Sequence, residues 1–110
     1  MIFNIGLDIE EIYRFKHKDK MLFEKIFTKN ELKKIKTKSP QHIAGIFSAK
    51  EAIIKAYNPL KKLHFKDIEI FNNKDGSPYS IIKSRIVKDL KISISHTKNH
   101  AIAAAILLRP

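Results

Sequence analysis

Glu51 and Lys55 stand four residues apart in the run Phe47-Ser48-Ala49-Lys50-Glu51-Ala52-Ile53-Ile54-Lys55. On a helix that spacing puts a carboxylate and an ammonium side by side. One accepts hard cations and the other donates to phosphates. A second carboxylate, Asp8, ends the short apolar run Ile2 to Leu7. A Ser95-His96-Thr97 turn near the C-terminus adds an imidazole and two hydroxyls. Magnesium takes one or two carboxylates together with phosphates and water. The three segments together therefore describe a site for a metal ion and a pyrophosphate. Each also has a plainer reading: Asp8 as a helix N-cap, Glu51 and Lys55 as a surface pair worth a few tenths of a kcal/mol, and Ser95-His96-Thr97 as a polar turn. Phe47, Glu51 and Lys55 fall on one stripe with Ile54 beside it, which sets the pair at the edge of an apolar face.

The elements that must position these groups follow from periodicity. Ile2 to Leu7 reads as a buried strand. Ile9 to Lys18 reads as a helical stripe whose outer face carries Arg14, Lys16 and Lys18, and Met21 to Phe27 as a second short helix. Thr28-Lys29-Asn30-Glu31 is a capping box that starts a helix through about Ile35. Ser39-Pro40 supplies an N-cap and a proline at the first helical position, and Asn58-Pro59 ends the long helix they begin at about Tyr57. Phe65 to Phe71 reads as a strand, Asn72 to Pro78 as a turn, and Ser80 to Lys88 as a short helix. Lys91 to Ser95 and Ala101 to Leu108 read as an antiparallel hairpin. The expected class is α+β: a small antiparallel sheet packed with one long and several short helices, in a single domain over residues 1–110.

The 110 residues carry a net charge of +11, with 44% hydrophobic residues and no cysteine. A chain of this size buries about two-thirds of its unfolded surface, so self-association is a natural source of stability. The missing cysteines exclude disulfides and thiolate metal sites and fit a cytoplasmic setting. No apolar run approaches the roughly 20 residues of a membrane helix, and the N-terminus meets charge too early for a signal peptide. The basic surplus favours a polyanion or an acidic protein, although abundant Lys, Ile and Asn also fit simple compositional drift. Only three glycines exist, with no P-loop and no dinucleotide fingerprint. The basic residues are not interleaved with aromatics in a nucleic-acid-binding pattern. His17, His42, His64 and His100 show no metal-ligand pairing and read as surface residues.

The segments resemble, in order and over nearly the whole chain, the small bacterial 4′-phosphopantetheinyl transferases of the holo-acyl-carrier-protein synthase family. The matching stretches are Ile5 to Ile9, Phe27 to Leu32, Ala44 to Ala52 with Lys55, Phe65 to Ile70, and Ser93 to Thr97 followed by Ala101 to Ala103. The resemblance implies transfer of the phosphopantetheine arm of coenzyme A to a serine of acyl carrier protein, in support of fatty acid biosynthesis. Asp8 and Glu51 would hold magnesium, and Lys55 would neutralise phosphate charge. Glu51, directly or through a metal-bound water, is the candidate for taking the serine proton. Coenzyme A would meet Lys50, Lys55, Lys61, Pro78, Ser95, His96 and Thr97. Arg14, Lys16 and Lys18 would face the acidic carrier protein, and the assembly would be a homotrimer with shared sites, with neither nucleic acid nor membrane as partner. Ile46 stands where the family has a basic residue, and Ala56 to Lys62 lacks the family's glycine, leaving Lys61 and Lys62 to substitute. The rival reading is a non-catalytic basic module for nucleic acid or an acidic protein, which would bind polyanions in a salt-dependent way without magnesium.

Overall fold

Helix α3, Pro40–Tyr57, is the element on which the rest is assembled. In the computed structural model, which describes residues 2–109, Ser39 caps it by accepting the His42 amide, and Pro40 opens its first turn. Its buried positions include Ile43, Phe47, Ala49, Ala52, Ile53 and Ala56. A fully buried Ile of this kind contributes about 1.5–3 kcal/mol.

Two antiparallel three-stranded sheets flank the helix. The first has the order β1 (Ile2–Glu11), β6 (His100–Arg109), β5 (Leu90–His96). The second has the order β2 (Ile68–Asn72), β3 (Pro78–Ile82), β4 (Arg85–Ile86). α3 lies on the inner face of the first sheet, where β6 offers Ala101, Ala103 and Ala105. Small residues on both sides bring helix and sheet close. The short helices α1 (Lys20–Ile26) and α2 (Lys29–Ile35) close one end of the core. The Thr28–Glu31 capping box forms as expected.

Three local expectations are corrected. The Ile9–Lys18 helix does not form. β1 continues through Glu11, paired to His100, and only Ile12–Phe15 turns, as a single 3-10 turn. The cause is non-local: β6 presents a ten-residue ladder, and Ile12 still donates to the Asn99 carbonyl. Ser80 to Lys88 is not a helix but the end of β3, a turn with positive φ at Lys83 and Ser84, and β4. Its β-branched pairs Ile81-Ile82 and Ile86-Val87 suit a pleated surface when β2 is there to pair with. Phe65–Asp67 is a 3-10 turn in which Asp67 accepts the His64 amide, so the strand begins only at Ile68.

Candidate active site

β1 and α3 meet at Gly6 and Ala52, and that contact brings Asp8, two residues further along the strand, to Glu51 and Lys55, which flank Ala52 on the helix. Ser48 donates to the Asp8 carbonyl at 2.9 Å, and Lys55 donates to the Leu7 carbonyl at 2.9 Å. The Lys55 ammonium lies 3.6 Å from Asp8 Oδ1. Asp8 is only 9% exposed, and among the described residues no N–H or hydroxyl donates to its buried Oδ2. Glu51 is half-buried on the adjoining turn of α3. Burial, then the Asp8 charge, push its carboxyl above the usual range, against the opposing pull of Lys55 and Arg14.

Glu10 completes the cluster. A strand places residues i and i+2 on one face, so Glu10 stands beside Asp8. Burial and the hydrogen bond and charge of Asp8 push its carboxyl up to about 7, while Arg14 opposes the rise. Arg14 forms an ion pair with Glu10 and lies over the Phe15 and Phe47 rings.

An orphaned, buried carboxylate oxygen beside a second carboxylate that it repels is the environment a cation relieves. The donors are hard oxygens, which suits magnesium. Among the described residues no three His, Cys, Asp or Glu side chains converge on one point. Two carboxylates meet magnesium's need, because phosphates and water complete its shell. Asp8 and Glu51 thus fit the ion assigned to them.

The first turns of α3 border a cleft of about 310 Å³. Its walls come from the first turns of α3 (His42, Gly45, Ile46), from the β2–β3 hairpin (Asn72, Gly76, Pro78) and from β5 (Ile94, His96). The left-handed backbone at Gly76, φ 89°, turns the hairpin back toward the cleft. In the sheet register Glu10 pairs with Ala101 and Ala101 with His96. Glu10 and His96 therefore occupy one row, two strands or about 10 Å apart.

Other expected site residues fall elsewhere. Lys50 does not line the cleft: its side chain is fully buried, paired with Glu31 and donating to the Ile26 carbonyl. It follows Ala49 on the α3 face turned toward α1 and α2, so its role is to join the three helices. Ser95 is on the sheet face opposite His96, because alternate residues of a strand point oppositely. The Thr97 hydroxyl accepts the Asn99 and His100 amides within its own turn. Lys61 is exposed, with its ammonium over Tyr57, and is not among the cleft residues. Arg14, Lys16 and Lys18 do not form one helical stripe. Arg14 is held by Glu10, Lys16 lies over Tyr13, and Lys18 donates to the Lys36 carbonyl. Two site residues escape the sequence reading. Glu10 is hidden by treating Ile9 onward as helix, since only a strand puts it beside Asp8. His42, read as a surface residue, is half-buried in the cleft wall; its one signal is a position one helical turn before Ile46.

The family model of the 4′-phosphopantetheinyl transferase superfamily matches residues 4–105. A holo-[acyl-carrier-protein] synthase from Caldicellulosiruptor bescii is 42% identical, over 96% of this chain and 98% of its own length. A holo-(acyl-carrier-protein) synthase from Bacillus anthracis, solved in complex with CoA (3′,5′-ADP), superposes with a TM-score of 0.79 at 32% identity, over 94% of each chain. The Helicobacter pylori holo-[acyl-carrier-protein] synthase, solved in complex with coenzyme A, gives 0.77 at 29% identity, over 94% of this chain and 99% of that one. The fold and site define a transferase, and the chain belongs to the 4′-phosphopantetheinyl transferase superfamily, among the holo-[acyl-carrier-protein] synthases.

Proposed function

We propose that the chain transfers the 4′-phosphopantetheine arm of coenzyme A to a serine hydroxyl of an apo acyl carrier protein, releasing adenosine 3′,5′-bisphosphate. The observation that carries this reading is the convergence of Asp8, Glu51 and Lys55 at the β1–α3 seam, with the orphaned Asp8 Oδ2 buried among them. Lys55 is half exposed, so its ammonium can reach a phosphate while staying tethered to the Leu7 carbonyl. A magnesium ion held by Asp8 and Glu51 would neutralise pyrophosphate charge as the bridge opens. The serine oxygen bonds to the phosphorus carrying the pantetheine arm, the pyrophosphate bridge breaks, and the nucleotide leaves with the bridging oxygen. Such transfers depend on positioning and charge stabilisation more than on covalent help. Glu51, directly or through a metal-bound water, would accept the serine proton.

The sheet's outer face supports self-association, which we read as a trimer. Phe3, Ile5, Leu7 and Ile9 of β1, with Ile102 and Ile106 of β6, all lie exposed on it. A contiguous apolar surface of this kind marks an interface. Arg14, paired with Glu10 of the acidic cluster, and the exposed Lys16 and Lys18 beyond it are basic groups that suit an acidic carrier protein.

The deciding experiment incubates the protein with coenzyme A, magnesium and apo acyl carrier protein, and weighs the carrier by mass spectrometry. A mass gain of one phosphopantetheine is expected. An unmodified carrier, with salt-sensitive polyanion binding instead, would establish the basic-module reading.

A further inference from the structure

The chain holds 22 Lys and Arg residues, yet none lines the cleft between α3, the β2–β3 hairpin and β5. No Asp or Glu lines it either. Its titratable side chains are His42 on one wall and His96 on the other. Coenzyme A carries two anionic groups, a pyrophosphate and a 3′-phosphomonoester. Asp8, Glu51 and Lys55 account for the first. We propose, resting on the function argued above, that His42 acts with His96 as a proton-dependent clamp on the nucleotide's phosphomonoester, so that binding of coenzyme A takes up protons.

The chemistry of each imidazole supports this. His96 Nδ1 lies 3.3 Å from the Thr97 carbonyl, a contact in which the ring donates. With that N–H committed, a neutral His96 presents only a lone pair at Nε2. It can donate to an anion there only when protonated. His42 makes no side-chain hydrogen bond among the described residues, and its backbone amide is taken by Ser39. Burial and the nearby Lys38 charge hold it below its ordinary value, so the free protein keeps it neutral near pH 7. A phosphomonoester, whose second ionisation falls at about 6, reverses that balance. Three other groups bear on the clamp. Lys38 precedes α3 and disfavours protonation. Lys34 of α2 lines an adjoining recess with His42 and acts in the same direction. Glu31 of α2 lines that recess too, but is committed to Lys50. His96 faces from β5, whereas β2 and β3 present only uncharged side chains there. No permanent cation faces the ligand inside the cleft, so its affinity follows the histidines.

Calorimetric titrations of coenzyme A and of 3′-dephospho-coenzyme A, in buffers of different ionisation enthalpy, test this. Wild-type, His42→Gln and His42→Arg proteins are compared from about pH 6 to about pH 8.5, with folding checked by circular dichroism. Wild type is expected to bind coenzyme A with net proton uptake and to lose roughly tenfold in affinity across that range. His42→Gln should reduce the uptake and weaken binding at the acid end. His42→Arg should hold tight binding at the alkaline end. Neither substitution should change affinity for 3′-dephospho-coenzyme A. Unchanged affinity and uptake in both variants would overturn the inference alone, as would equal effects on the two nucleotides. Failure of wild type to bind coenzyme A at any pH would overturn the functional reading as well.

Discussion

A Cβ placed on Gly6 would sit 1.7 Å from the Ala52 carbonyl oxygen and 2.9 Å from the Ala56 amide nitrogen. β1 therefore touches α3 backbone to backbone. The contact lies two residues before Asp8 on the strand and one residue after Glu51 on the helix. It sets the separation of the Asp8 and Glu51 carboxylates.

Gly6→Ala should consequently displace β1 and with it Asp8. An overpacked core site costs about 1–3 kcal/mol, and the obstacle here is backbone that no rotamer change can clear. We expect a lowered urea midpoint and loss of transfer activity that added magnesium does not restore. Wild-type activity in a stably folded Gly6→Ala protein would show that the seam does not position the site.

Asp8→Asn and Glu51→Gln should each abolish transfer. If both residues hold one ion, as proposed, their effects should be non-additive. Glu51→Gln relieves the repulsion with Asp8 and should not lower the melting temperature of the metal-free protein, whereas Asp8→Asn also gives up the ion pair with Lys55. Manganese titration followed by electron paramagnetic resonance should show weakened binding in both. Full wild-type activity in excess chelator would contradict the assignment.

Glu10 makes the stability of the metal-free protein depend on pH. Its carboxyl titrates at an ordinary 4.5 in the unfolded chain and at about 7 when folded. Between those values the folded state holds a proton that the unfolded state has released. Stability therefore falls as pH rises through the window and levels off above it. Glu10→Gln should flatten this slope in thermal melts, raising the melting temperature above pH 7 and leaving it nearly unchanged below 4.5. A wild-type slope in the variant would assign the effect to another group.

The same chain supplies Asp8 and Lys55, 3.6 Å apart, so mixing Asp8→Ala with Lys55→Ala subunits should restore no activity. Assembly is better tested on the outer sheet face. Ile5 is 69% exposed in the isolated chain, and Ile5→Asp should convert a trimer to monomer by light scattering while leaving the fold intact. A monomeric wild-type protein would remove the trimer.

The features legible in the sequence are those whose causes are local. The Thr28–Glu31 capping box, the Ser39-Pro40 start of α3 and its end near Tyr57 each depend on contacts within a few residues, and each forms where expected. Asp8, Glu51 and Lys55 were legible as chemistry because carboxylate and ammonium at helical spacing limit what a site can do. Tertiary structure decided the rest. Nothing near Ile9 announces that β6 will hold the chain extended to Glu11, and only that pairing puts Glu10 beside Asp8. The helical spacing of Ile81, Ile82, Ile86 and Val87 is overridden by a partner strand about ten residues earlier. Lys50 and Glu51 are neighbours in sequence, but the 100° step of a helix sends them to opposite duties. One enters the core to meet Glu31, nineteen residues away, and the other faces the Asp8 carboxylate. His42 joins His96 only because α3 and β5 pack across a cleft. A single sequence carries local propensity and residue chemistry, whereas burial and the charge states it sets arise only when distant segments meet.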